Sequence, residues 1–213
     1  MDYFSKNVMK SLFIVVDGLD GSGKSELVKL LHNYLFGKSK KYRILTTREP
    51  TNGTYGKEIR KILKEEKDPI SNAEKLLEMF TKDREDHLKN TILPFLEKTN
   101  EHELNIVLCD RYYHSTIAFQ NTQGLDFKKL IEKNQDFKKP DITFILDIKP
   151  EIALQRIKHR EKEKFEQLEF MNNLRQNFLK LPEHLDDNIK IMDASKNLNE
   201  VFEDVKKYID EIL

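Results

Sequence analysis

Short apolar runs alternate along the chain with longer segments of mixed polarity. The runs are rich in Ile, Val, Leu and Phe and about five residues long, which is typical of buried strands. The segments between them place apolar residues three or four positions apart, as Leu27, Leu31 and Leu35 do. This spacing gives a helix one apolar face. Regular alternation of strands and helices predicts a three-layer α/β/α fold, with a five-stranded parallel sheet flanked by helices.

The predicted elements cover most of the 213 residues. The strands are placed at 12–16, 43–47, 105–109, 142–146 and 188–192. The helices are placed at 24–36, 55–66, 72–98, 112–121, 126–134, 150–180 (with a break) and 197–212. The charge-dense segment at approximately 156–169 has few apolar anchors, so we expect a short lid there. The sequence contains no repeat and no linker, which predicts a single domain over residues 1–213.

A glycine-rich motif follows the first strand directly. Its residues, in order, are Gly18, Leu19, Asp20, Gly21, Ser22, Gly23, Lys24 and Ser25. A strand, such a turn and then a helix form a phosphate-binding P-loop, in which consecutive backbone N–H groups and the helix N-terminus face one anion. In this motif the lysine reaches the β- and γ-phosphates and the serine hydroxyl binds Mg²⁺. The motif predicts that the chain binds a nucleoside triphosphate.

Two further groups of charged residues stand where strands end. Asp110 and Arg111 follow the third strand, and Arg48 follows the second. Parallel strands open on one crevice at their carboxyl ends. We therefore expect Asp110 to join Ser25 at the metal, and both arginines to bind phosphate oxygens, for which the forked guanidinium is well suited.

Composition and missing motifs exclude several classes of function. Lys and Arg number 37 and so do Asp and Glu, so charge gives no case for binding nucleic acid or a membrane surface. The one cysteine, Cys109, excludes an internal disulfide and a cysteine-based zinc site. No guanine-reading Asn-Lys-x-Asp stretch is present, and Asp110 lacks the second acidic neighbour usual in motor ATPases. No apolar stretch could span a bilayer and the N-terminus has no apolar signal core, so a cytoplasmic location is expected.

Four segments together resemble the thymidylate kinase family, from Leu12 to about Asp193. They are residues 17–25, 47–50 (Thr-Arg-Glu-Pro), 79–84 (Met-Phe-Thr-Lys-Asp-Arg) and 110–120 (Asp-Arg-Tyr-Tyr-His-Ser-Thr-Ile-Ala-Phe-Gln). The resemblance implies an ATP- and Mg²⁺-dependent phosphorylation of dTMP to dTDP. It also implies a homodimer, for which the apolar face of helix 72–98 offers a surface.

The resemblance assigns roles around the acceptor nucleotide. Phe80 matches the aromatic residue that stacks on thymine, and Arg84, one helical turn later, matches the arginine that bonds a thymine carbonyl. Thr116 matches a polar residue at the base edge, and Phe119 matches the aromatic residue beside the sugar. Gln120 is expected near the base or sugar.

Further matches concern the sugar, the donor nucleotide and the transferring phosphate. Asp20 matches the acid near the 3′-hydroxyl of the acceptor, and Arg156 matches the arginine that stacks on adenine. Gly21 stands where one branch of the family has an arginine, so the chain resembles the branch that takes its catalytic cation from the lid. Arg160 is the preferred candidate, with Lys162 and Lys164 as alternatives. We expect Lys24, Arg48, Arg111 and Arg160 to share the charge of the transferring group.

Two other interpretations stay open at this point. One is a kinase for another nucleotide or for an unphosphorylated deoxynucleoside, in which case Asp17 would be the candidate base near the 5′-hydroxyl. The other is a catalytically silent P-loop module that binds nucleotide and signals to a partner. Intact Lys24, Ser25 and Asp110 argue against the silent module.

Overall fold

Five strands form one sheet in the order β2-β3-β1-β4-β5, and every neighbouring pair is parallel. The computed structural model describes residues 11–65, 71–98, 100, 102–157 and 168–213. The strands are β1 Leu12–Gly18, β2 Tyr42–Arg48, β3 Leu104–Asp110, β4 Ile142–Asp147 and β5 Ile189–Asp193. Each predicted strand is confirmed, with bounds that differ by at most two residues at either end.

Helices connect the strands and cover both faces of the sheet. In the described ranges they are α1 Lys24–Lys38, α2 Thr54–Glu65, α3 Ala73–His87, α4 Leu93–Glu97, α5 Tyr113–Thr122, α6 Phe127–Asn134, α7 Pro150–Ile157, α8 Leu168–His184 and α9 Leu198–Ile212. The predicted capping box is present at α9, where Asn197 and Glu200 bond each other's backbone N–H groups. The predicted α/β/α fold class is confirmed.

The predicted helix over 72–98 is not one regular α-helix. A π-helical segment, Leu88–Ile92, joins α3 to α4. The backbone N–H of Leu93 bonds the carbonyl of Leu88, five residues back, instead of the carbonyl four residues back. Pro94 follows directly and has no N–H of its own, so the regular ladder cannot continue through this turn. The apolar periodicity of the sequence does not reveal this change.

The core lies on both sides of the two central strands. Every residue of β1 and β3 is buried, because the strands flanking them pair with both edges and helices cover both faces. A smaller apolar cluster lies apart, between α2 and α3, with Ile59, Ile62 and Leu76 at its centre. Phe80 and Phe119 pack against this second cluster. The second cluster therefore fixes two aromatic rings beside the ends of the strands.

Strand register brings the charged residues of three segments to the same edge. Arg48 of β2 is paired with Asp110 of β3, and Asp110 is paired with Val16 of β1. The backbone N–H of Glu49 then bonds the Asp110 carbonyl at 3.0 Å, and that of Arg111 bonds the Val16 carbonyl at 2.9 Å. The carboxyl ends of β1, β2 and β3 thus form a continuous platform for the site.

Candidate active site

The turn between β1 and α1 has the backbone shape of a phosphate-binding loop. Gly18 and Gly21 have φ angles of 133° and 81°, which residues with a β-carbon rarely adopt. A β-carbon added at Gly21 would lie 2.4 Å from the carbonyl oxygen of Ala153 in α7. A side chain at position 21 would therefore need α7 to move, which fits the absence of an arginine there. The loop ends where α1 begins at Lys24.

Lys24 is buried inside this loop. Its Nζ donates to the Leu19 carbonyl at 2.7 Å and lies 3.8 Å from the Asp20 carboxylate. Burial, reinforced by the positive charge of Arg111, lowers the pKa of Lys24 to about 8. A phosphate group bound in the loop would add further negative charge beside this ammonium.

Arg111 connects the loop to the end of β3. Its guanidinium bonds the Asp20 carboxylate and the Ser115 hydroxyl, the latter at 2.9 Å. The charge of Arg111 lowers the pKa of Asp20 to about 2, so Asp20 is ionised at neutral pH. Arg111 has a φ of 74°, a left-handed conformation that costs a non-glycine residue roughly 1–2 kcal/mol. The fold therefore holds this arginine over the loop against a local backbone preference.

Ser25 and Asp110 fit the proposed magnesium site. The Ser25 hydroxyl donates to Oδ2 of Asp110 at 2.6 Å, although the two residues are 85 positions apart. The other carboxylate oxygen, Oδ1, is buried and has no hydrogen-bond partner within the described residues. A hydroxyl and a carboxylate are oxygen ligands of the kind that Mg²⁺ prefers. No cluster of three His, Cys, Asp or Glu side chains that could hold a metal exists in the described ranges.

A cavity of about 320 Å³ opens beside the P-loop. It lies between the strand ends and helices α2, α3, α5 and α8. Nine residues predicted for the site line it: Gly18, Leu19, Asp20, Arg48, Phe80, Arg84, Arg111, Thr116 and Phe119. One wall is apolar and aromatic, and the wall at the strand ends is cationic. This combination suits a nucleotide, with its flat base and anionic phosphate.

Arg84 lines the cavity but is almost completely enclosed by other side chains. It is only 1% exposed. Its Nε donates to Glu49 at 2.9 Å and its Nη2 donates to the Thr116 hydroxyl at 2.8 Å. The guanidinium carbon lies 5.1 Å from the ring centre of Tyr112 and 5.4 Å from that of Phe137. Ion pairing and two aromatic faces therefore fix the position of this cation.

Two of the predicted site residues that the structure describes, Gln120 and Arg156, lie outside the cavity. Gln120 is completely buried, does not line the cavity, and donates to Gln123 at 3.1 Å. Arg156 is exposed and donates to the carbonyls of Ala194, at 3.0 Å, and Lys196. Arg160 lies outside the described residues, as do Lys162 and Lys164. The structure thus does not bring Gln120 or Arg156 into the cavity.

Asp17, the candidate base of a deoxynucleoside kinase, is held within the core. It is 0% exposed and does not line the cavity. Its carboxylate accepts bonds from the Ser115 hydroxyl at 2.6 Å, the Ser115 N–H at 3.0 Å and the Gly18 N–H at 2.8 Å. With these donors in place, Asp17 orients the site's backbone instead of facing a substrate hydroxyl.

Sequence reasoning missed two groups of cavity residues. The first is Glu49 and Arg60. Glu49 pairs with Arg84, not with its neighbour Arg48, and Arg60 donates to the Thr51 carbonyl at 2.6 Å and to the Pro50 carbonyl. The second is an apolar wall from α8, formed by Phe170, Met171, Leu174 and Phe178. Their spacing of one, three and four residues is that of one helix face, but nothing in the sequence indicated which surface that face would meet.

Comparison with known proteins agrees with this arrangement. The family model described as thymidylate kinase matches residues 16–205. Among the relatives is a thymidylate kinase of Leptospira interrogans, 39% identical over 200 residues and covering 92% of each chain. Another is a thymidylate kinase of Caldicellulosiruptor saccharolyticus, 36% identical and covering 96% of this chain and 98% of the relative. A "Probable thymidylate kinase" of Archaeoglobus fulgidus is 38% identical and covers 95% and 96%.

None of the helices described is both long and apolar enough to cross a bilayer.

The match to the family model spans most of the chain, and the alignments with the three relatives named above cover nearly the whole length of each relative. The P-loop, the strand-end arginines and the cavity lie inside the matched region. The chain therefore belongs to the thymidylate kinase family, the enzymes that phosphorylate dTMP to dTDP.

Proposed function

We propose that this protein transfers the terminal phosphoryl group of ATP to dTMP, with the P-loop holding the donor and the adjoining cavity holding the acceptor. The observation that carries the proposal is the position of the cavity. It has Arg48 and Arg111 at the strand ends and Phe80 and Arg84 further in. This order matches a nucleoside monophosphate whose phosphate points toward the P-loop and whose base points away.

In the proposed acceptor site, Phe80 stacks on the pyrimidine and Arg84 and Thr116 bond its edge. Phe119 packs beside the sugar and Asp20 lies near its 3′-hydroxyl. Arg48 and Arg111 clamp the phosphate. Gln120 is buried and does not line the cavity, so the proposal gives it no contact with the nucleotide.

The proposed donor site uses backbone N–H groups of residues 18–25 and the Lys24 ammonium. Arg156 is the proposed contact for adenine, beside the segment 194–196 to which it is bonded. Mg²⁺, held by Ser25 and Asp110, would neutralise negative charge on the donor phosphates. The residues fit that ion because one oxygen of Asp110 lacks a partner among the described residues.

The chemistry asked of the protein is positioning and charge neutralisation. The dTMP phosphate oxygen is already ionised at neutral pH, so it needs no strong general base. Lys24, Arg48 and Arg111 reduce repulsion between the two anionic groups and align them. Arg160 in the proposed lid, approximately residues 156–169, is the further cation. Closure of this segment would exclude water and so limit hydrolysis of ATP.

A coupled assay of ADP release tests the proposal against its rivals. We expect the highest kcat/KM with dTMP, lower values with dUMP, CMP and AMP, and none with thymidine. Faster turnover of thymidine than of dTMP would favour a deoxynucleoside kinase, and tight ATP binding without turnover would favour a silent module.

We further propose a single catalytic domain that acts in the cytoplasm as a homodimer. Light scattering should then give twice the mass of the chain.

A further inference from the structure

One side of helix α3 holds the chain as it leaves β2. The bonded residues are Thr47 in β2, and Glu49 and Thr51 just after it. His87 lies 2.7 Å, through Nε2, from the Thr47 hydroxyl. Asp83 accepts from the Thr51 N–H and hydroxyl at 2.7 and 2.6 Å. Side chains alternate along a strand, so Arg48, the last residue of β2, faces away from the side of Thr47 and lines the cavity.

Glu49 stands at the centre of these contacts. One carboxylate oxygen accepts a hydrogen bond from Nε of Arg84 at 2.9 Å and lies 2.8 Å from Nη2 as an ion pair. The other lies 3.0 Å from Nδ1 of His87. Because an ionised carboxylate only accepts hydrogen bonds, the Nδ1–H of His87 donates to it. Glu49 and His87 are 3% and 4% exposed, so water cannot replace these contacts.

Most of the hydrogen-bonding capacity of Arg84 is already used. A guanidinium carries five N–H groups. The Glu49 carboxylate accepts one from Nε, the Thr116 hydroxyl accepts one from Nη2, and the Asn134 side-chain oxygen accepts one from Nη1 at 2.9 Å. Asn134 is itself held by a 2.8 Å bond from its Nδ2 to the Leu130 carbonyl, which turns its oxygen toward Arg84. One N–H of Nη1 and one of Nη2 are left among the described hydrogen bonds, and their directions depend on the other three.

We propose that Glu49 and His87 are positioning residues that set Arg84 for the base of the acceptor nucleotide through one buried network. His87 holds the Glu49 carboxylate, and that carboxylate holds the guanidinium. Neither residue needs to touch the nucleotide, and His87 does not line the cavity. The inference rests on the proposed function, since it takes the acceptor to be dTMP bound between Arg84 and Arg48.

Two substitutions of His87 separate its contacts. The amide nitrogen of Asn lies near the position of Nδ1, so His87→Asn keeps the donor to Glu49 and loses the contact with Thr47. The side-chain amide of Gln lies near the position of Nε2, so His87→Gln keeps the contact with Thr47 and loses the donor to Glu49. We expect His87→Gln to raise the KM for dTMP by roughly 10- to 100-fold, as misplacement of a binding group does. His87→Asn should leave it within about twofold of the wild type. The KM for ATP should be unchanged in both.

A second background tests whether His87 acts through Arg84. If it does, adding His87→Gln to Arg84→Met should raise the KM for dTMP no further, because the group it positions is gone. Equal effects of the Asn and Gln variants, a parallel rise in the KM for ATP, or full additivity with Arg84→Met would overturn the inference. Thermal unfolding of each variant compares their stability.

Two further measurements apply if His87→Gln does not fold. Thr47→Val leaves the contact between His87 and Glu49 in place, so it should keep the KM for dTMP within about twofold. A tenfold rise would overturn the route through Glu49. In nitrogen-15 NMR spectra, the Arg84 Nε–H signal should persist in His87→Asn as in the wild type, and its loss there would also contradict the inference. A wild-type enzyme that does not turn over dTMP would overturn the proposed function itself.

Discussion

The hydroxyl of Ser25, in the first turn of α1, donates a 2.6 Å hydrogen bond to the carboxylate of Asp110 at the end of β3. This contact joins the P-loop to the neighbouring strand and puts two oxygen ligands side by side. It also leaves Oδ1 of Asp110 without a partner among the described residues. The pair therefore offers the oxygen ligands required by the divalent cation proposed to lie beside the donor phosphates.

Asp110→Asn should weaken the response to magnesium. Replacing one oxygen anion by an amide removes charge from the ligand set, so we expect a roughly 10- to 100-fold loss in kcat or in apparent Mg²⁺ affinity. The rate measured against Mg²⁺ concentration gives both values. Asp136→Asn, at an exposed position, is the control and should behave as the wild type. An unchanged magnesium curve for Asp110→Asn would remove this residue from the metal site.

At alkaline pH, the protein should take up a proton when it binds ATP. The pKa of Lys24 is lowered to about 8, mainly by burial. One pH unit above that value the side chain is largely neutral in the free protein, and the phosphate charge raises its pKa again on binding. Calorimetry in buffers of different ionisation enthalpy should show uptake there and none one unit below. Lys24→Arg stays charged and should show none at either pH. Equal uptake in both proteins would assign the proton to another group.

Phe80→Leu should weaken the binding of dTMP and leave the binding of ATP unchanged. Leucine preserves apolar packing against the cluster of Ile59, Ile62 and Leu76 but removes the ring proposed to stack on the base. Loss of such stacking costs about 1–3 kcal/mol, which corresponds to a roughly 5- to 150-fold rise in the KM for dTMP. The matched control is Phe36→Leu, whose ring is 72% exposed on α1. A similar rise in the KM for ATP would show that Phe80 acts on the fold and not on the base.

Gly21→Ala should destabilise the protein more than Gly124→Ala. Both glycines have positive φ angles, 81° and 93°, so both substitutions carry the left-handed backbone cost of about 1–2 kcal/mol. At Gly21 the new β-carbon would lie 2.4 Å from the backbone oxygen of Ala153. At Gly124 no atom of the described residues lies within 4 Å of the new β-carbon. The additional cost should be roughly 1–3 kcal/mol. Urea denaturation measures the difference, and equal free energies of unfolding would contradict the packing of α7 on the loop.

Arg160→Ala should lower kcat far more than it weakens binding of either nucleotide. A cation that neutralises transition-state charge on a transferring phosphoryl group contributes roughly 10³-fold or more to the rate. Single-turnover rates and equilibrium binding of ATP separate the two effects. Lys162→Ala and Lys164→Ala are the comparison variants. If one of these lysine variants lost the same factor in kcat while Arg160→Ala kept a normal kcat, the role would belong to that lysine.

Several features of the fold could be predicted because they depend on local pattern. Each strand is one apolar run, and α1 follows from leucines three and four residues apart. The π-helical segment at Leu88–Ile92 was not predicted, because its cause is one proline in an otherwise regular apolar pattern. Part of the site was predictable in the same way. Residues at the ends of parallel strands meet at one edge, so the positions of Arg48, Asp110 and Arg111 along the chain were enough to group them.

What the sequence by itself determined is the order of elements, the phosphate-binding loop and the resemblance that names the family, since these rest on short-range spacing and residue type. Tertiary structure alone decided that Glu49 bonds Arg84, 35 residues away, that Asp17 is enclosed, and that α8 supplies a wall of the cavity. The reason is physical. Backbone hydrogen bonds and helical periodicity act over a few residues, whereas the partner of a buried charge is selected by whichever distant segments the packing brings within about 3 Å.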